Sequence, residues 1–130
     1  MRTLIVEDDF TSRLFLQTIL SLYGECHIAI NGREAIEAYT KAGEEGRAYD
    51  LICLDIMMPE MDGQEALRKI REAEKAKGVD EGKGVKIIMV TALSDPRNVM
   101  KAHYQVCNAY LIKPIDKGKL LEHLRGFGLI

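Results

Sequence analysis

The sequence predicts an α/β fold in which five βα units build a parallel sheet with helices on both faces, a doubly wound arrangement. Three observations carry this expectation. Five apolar runs of strand length recur along the chain, longer segments with helical spacing separate them, and helix-start signals stand at the junctions. A length of 130 residues suits one domain, residues 1–130.

The first run, Thr3-Leu4-Ile5-Val6, breaks directly into Glu7, Asp8 and Asp9, and the pattern after it sets Phe15, Ile19 and Leu22 at helical spacing. The second run is Cys26-His27-Ile28-Ala29-Ile30, followed by Asn31 and Glu34 in the spacing of a capping box. Leu51-Ile52-Cys53-Leu54 forms the third run, and Asp62 precedes a helical pattern containing Leu67 and Ile70. Residues 74–84 are glycine-rich and charged and read as a solvated connection. The fourth run spans Lys86 to Val90, after which Asp95-Pro96 marks a helix start. The fifth is Ala109-Tyr110-Leu111-Ile112, and Asp116 caps a last helix carrying Leu120, Leu121 and Leu124. Central strands buried on both faces explain why the third and fourth runs are apolar without alternation.

Composition narrows the function. Eighteen basic and 20 acidic residues give a net charge of -2, so broad attraction to a phosphate backbone is absent and nucleic acid is not expected as a direct partner. Cys26, Cys53 and Cys107 are odd in number and lack CxxC spacing, which argues against a disulfide framework or zinc site. No apolar stretch approaches the ~20 residues of a membrane span, and the N-terminus does not resemble a signal peptide. A cytoplasmic location follows as the expectation.

In an open parallel sheet, ligands collect beyond the carboxyl ends of the strands, where the loops diverge. Glu7, Asp8 and Asp9 follow the first strand there, and Asp55 follows the third. If those strands are neighbours, Asp8, Asp9 and Asp55 share a pocket, and their repulsion is relieved by a cation. Hard oxygen donors without His or Cys favour Mg²⁺, with Mn²⁺ as an alternative. Thr91 and Lys113 follow the fourth and fifth strands and suit a phosphoryl oxygen. A carboxylate nucleophile, a divalent cation, a hydroxyl and a lysine are the parts phosphoryl transfer needs.

The stretches Val6-Glu-Asp-Asp9, Leu54-Asp-Ile-Met-Met-Pro-Glu-Met-Asp-Gly63, Val90-Thr-Ala92 and Tyr110-Leu-Ile-Lys-Pro114 resemble, in order, the receiver domain of two-component response regulators, the CheY-like fold. The resemblance implies strand order 2-1-3-4-5. It further implies that Asp55 accepts the phosphoryl group, and that Asp9, Asp55 and the main-chain carbonyl of Met57 ligate Mg²⁺, with Asp8 acting mainly through water. Thr91 and Lys113 would contact the phosphoryl group, Tyr110 would follow Thr91 in a conformational switch, and the Lys113-Pro114 bond would be cis. Expected partners are a sensor histidine kinase or phosphotransfer protein and a downstream protein target. The target would dock on the face of the fourth helix, fifth strand and fifth helix, around Lys101, Tyr104, Lys117 and Lys119. The domain would be a phospho-accepting signalling module, monomeric or dimerising on phosphorylation, that catalyses its own phosphorylation and dephosphorylation. Apolar Met57 and Leu93 beside the site point to a long-lived aspartyl phosphate.

Two other readings are disfavoured. A flavodoxin-type electron carrier would place a cofactor phosphate after the first strand, where the acids repel it. A haloacid-dehalogenase-type phosphatase, which is Mg²⁺-dependent and uses an aspartyl nucleophile, needs a second acid two positions on, where this chain has Met57. A free-standing carrier is favoured over a receiver excised from a longer regulator or hybrid kinase.

Overall fold

The computed structural model describes residues 1–56, 58, 61–80, 82–92 and 107–130. Strand β1 (Arg2–Val6) is rich in branched apolar residues, and Leu4, Ile5 and Val6 are fully buried. It leads into α1 (Phe10–Leu20), then β2 (Glu25–Ala29), α2 (Gly32–Glu44), β3 (Leu51–Asp55), α3 (Gly63–Ala76), β4 (Lys86–Thr91), β5 (Ala109–Ile112) and α4 (Lys117–Gly126). The strands form one parallel sheet in the order β2-β1-β3-β4-β5, as the resemblance implies. The helix start expected at Asp95-Pro96 lies outside the described residues, as do Met57, Leu93, Lys101 and Tyr104.

Alternation along the strands sends side chains to two cores. Leu4, Val6, Ile52, Leu54, Ile87 and Met89 meet α2 and α3 through Ala35, Ala42, Leu67 and Ile70. Ile5, Cys53, Ile88 and Leu111 meet α1 and α4 through Leu16, Leu20, Leu120 and Leu124. Helices therefore cover both faces. Cys53 behaves as a small hydrophobe, with burial pushing its thiol up to about 12.

Helix starts follow the side-chain chemistry of the sequence. Asn31, Asp62 and Asp116 each accept a hydrogen bond from the backbone N–H three residues on. Residues 74–84 differ from the expected solvated connection, because α3 continues to Ala76 and Glu74 is buried. Its carboxylate accepts from Arg71 Nη1 and from the Val85 N–H, each at 2.7 Å, so an acid in a charged stretch ties helix to strand. A Cβ on Gly84 would overlap that carboxylate, which explains the glycine at this position.

Candidate functional site

Parallel register brings the carboxyl ends of β1, β3, β4 and β5 to one edge of the sheet. The pairing of β3 with β4 ends on Asp55 and Val90, and Ile56 N–H extends it to the Val90 carbonyl at 2.9 Å. The pairing of β4 with β5 ends on Thr91 and Ile112, and Lys113 N–H donates to the Thr91 carbonyl at 2.7 Å. Asp55 is 3% exposed and Thr91 is fully buried. The Lys113–Pro114 peptide bond is cis.

Carboxylate oxygens of Glu7, Asp8 and Asp55 lie within 4.8 Å of one another, and Asp8 is the exposed member. Lys113 Nζ donates to Glu7 Oε1 at 2.8 Å and lies 3.6 Å from Asp55 Oδ2. Burial works against the Lys113 charge, but the hydrogen bond it donates to Glu7 and the charges of Asp55, Glu7 and Asp9 outweigh it and raise its pKa.

Here the acidic set departs from expectation by one position. Asp9, expected to ligate directly, is the N-cap of α1, its Oδ2 accepting from Ser12 N–H at 2.9 Å. The hydrogen bonds from Ser12 are the main cause of its lowered pKa. Glu7 takes the inner position instead, 1% exposed, with Oε1 also accepting from Asp9 N–H at 3.1 Å. The spacing Asp9-Phe10-Thr11-Ser12 carried the signal, since an acid immediately before a helix is most stable as its cap. Met57, whose carbonyl was expected among the ligands, lies outside the described residues. Tyr110 is on β5 and 43% exposed.

The donor set suits a hard divalent cation. Glu7 Oε2 is buried with no hydrogen-bond partner among the described residues. With all three acids ionised, three negative charges face one ammonium, leaving a formal excess of two. Oxygen-only donors around a partly open position fit Mg²⁺ or Mn²⁺.

Among the described residues, no helix is long and apolar enough to cross a membrane. The profile of the response regulator receiver domain matches residues 3–125. The chain is 35% identical over 125 residues to the chemotaxis protein CheY of Treponema pallidum, covering 95% of this chain and 79% of that one. It is 29% identical over 129 residues to the osmosensing histidine protein kinase SLN1 of Saccharomyces cerevisiae, covering 98% of this chain but 10% of the kinase. Among solved structures, the co-crystal of the Saccharomyces cerevisiae histidine phosphotransfer signaling protein Ypd1 with the receiver domain of its downstream response regulator Ssk1 aligns with a TM-score of 0.83 at 29% identity. That alignment covers 98% of this chain and 88% of the matched one. Fold, strand-end acids and the length of the match agree: the chain belongs to the response regulator receiver domain family, the phosphorylation-driven switches of two-component signalling.

Proposed function

We propose that Asp55 accepts a phosphoryl group from a histidine kinase or a phosphotransfer protein, at a site where Asp8, Asp55 and Glu7 hold Mg²⁺ or Mn²⁺. The observation that supports this most is Lys113 reaching both Glu7 and Asp55 beside the buried Glu7 Oε2, which has no hydrogen-bond partner among the described residues. When bound, the ion supplies positive charge against the carboxylates and the phosphoryl oxygens. The Met57 carbonyl completes the proposed ligand set.

Asp55 sits on the last residue of a fully buried strand, so its carboxylate is held in place before a donor arrives. One carboxylate oxygen forms the new O–P bond as the donor's N–P bond breaks, and the departing imidazole nitrogen takes up a proton. Lys113 contacts the transferred group's oxygens and offsets their charge. Thr91 donates its hydroxyl to the same group and is drawn inward. Tyr110 turns from its exposed position into the space that opens. The face of β5, α4 and the expected preceding helix changes with it, and phosphorylation shifts the population toward the state a protein target binds. The domain acts as a cytoplasmic signalling module that promotes its own phosphorylation and dephosphorylation, alone or within a longer regulator or kinase.

Chemical mapping tests this reading. After incubation with acetyl phosphate and Mg²⁺, borohydride reduces an acyl phosphate to the alcohol, and peptide sequencing should find homoserine at position 55. A reduced residue elsewhere, or none, rejects the assignment.

A further inference from the structure

We propose that Arg13 is a positioning residue for the acidic pocket, holding the turn after β1 so that Glu7 and Asp8 face Asp55. The inference rests on reading that pocket as a divalent-cation site. Glu7 is fixed at several points. Its N–H donates to the Ala29 carbonyl at 3.0 Å, its carboxylate accepts from Asp9 N–H and Lys113, and its own carbonyl accepts from Arg13 Nη1 at 3.3 Å. The last bond reaches back from the first turn of α1 to the residue that orients Asp8.

Arg13 is itself held in place. Its guanidinium carbon lies 5.5 Å from the centre of the Phe10 ring, and Phe10 is 65% exposed. An exposed aromatic on the first residue of α1 thus acts as a platform on which a planar cation rests while one N–H points at the turn. Lysine has no such plane, so a charge-preserving exchange does not preserve the arrangement.

Positioning and charge make opposite predictions. A cation near three carboxylates opposes a divalent ion, so if Arg13 acted only through its charge, removing it would tighten metal binding. If it holds the turn, removing it weakens binding even though the opposing charge is gone, by about tenfold, as for other groups that orient metal ligands.

The test measures Mn²⁺ affinity by electron paramagnetic resonance of the free ion, with the melting temperature of each metal-free protein taken alongside. R13Q should bind about tenfold more weakly than wild type. F10A, which removes the platform and no charge, should move affinity in the same direction by a smaller factor, and R13K should fall between R13Q and wild type. R13Q binding as tightly as wild type or more tightly overturns the proposal. So does a lowered melting temperature with unchanged affinity in both R13Q and F10A. Wild type failing to bind Mn²⁺ would instead remove the cation site, and this inference with it.

Discussion

Lys113 and Glu7 are 106 residues apart in sequence, and their side chains meet at 2.8 Å with Glu7 only 1% exposed. Removing the lysine leaves a buried carboxylate without its cation, so Lys113→Ala should destabilise the protein by about 2 kcal/mol, read from urea unfolding at pH 7 without metal. Stability also depends on pH through this pair. Because the pKa of Lys113 is raised above 10.5 in the folded protein, its contribution is complete below that value and disappears as pH climbs through the raised one. Wild type should lose stability relative to Lys113→Met across that alkaline window, and parallel curves would contradict the assignment.

Asp8 and Asp9 are adjacent but placed differently, Asp8 in the cluster with Glu7 and Asp55 and Asp9 as the cap of α1. Asp9→Ala should lower the melting temperature by removing the cap of α1 while leaving Mn²⁺ affinity close to wild type. Asp8→Asn should do the reverse, abolishing metal binding with little loss of stability. Because the Asp9 pKa is lowered in the folded state, the cap's contribution is present above the ordinary value of 3.8 and fades as pH falls through the lowered one. Loss of metal binding in Asp9→Ala would restore it as a ligand.

Thr3 is fully buried on β1, and its hydroxyl has no hydrogen-bond partner among the described residues. Valine has nearly the same shape without the unsatisfied group. Thr3→Val should therefore raise unfolding stability by about 1 kcal/mol, with m unchanged in a denaturant titration.

Gly63 opens α3 against the strand that ends in Asp55, its N–H donating to the Ile56 carbonyl at 3.0 Å. A Cβ there would overlap the Asp55 carbonyl, which is backbone and has little room to yield. Gly63→Ala should cost about 2 kcal/mol and shift the amide resonances of Asp55 and Ile56. A variant as stable as wild type would show that the strand end is softer than its packing implies.

The sheet was legible because buried strands need short branched runs, and the runs near residues 3, 26, 51, 86 and 109 are β1 to β5. The strand-end rule also put Asp55 and Lys113 on one edge, where they lie 3.6 Å apart. What composition could not resolve was which of three consecutive acids turns inward. That depends on where α1 begins, and the capping bond from Ser12 fixes Asp9 at its start. Glu74 was opaque for a related reason, since a charged residue among charged neighbours reads as solvated until its partners Arg71 and Val85 are seen.

The most direct measurement is the intact mass of the protein after incubation with acetyl phosphate, with and without Mg²⁺, for wild type and Asp55→Asn. Wild type should gain the mass of one phosphoryl group only when the ion is present, and the variant should gain none. An undiminished gain in Asp55→Asn, or no gain in wild type with Mg²⁺, would contradict Asp55 as the acceptor.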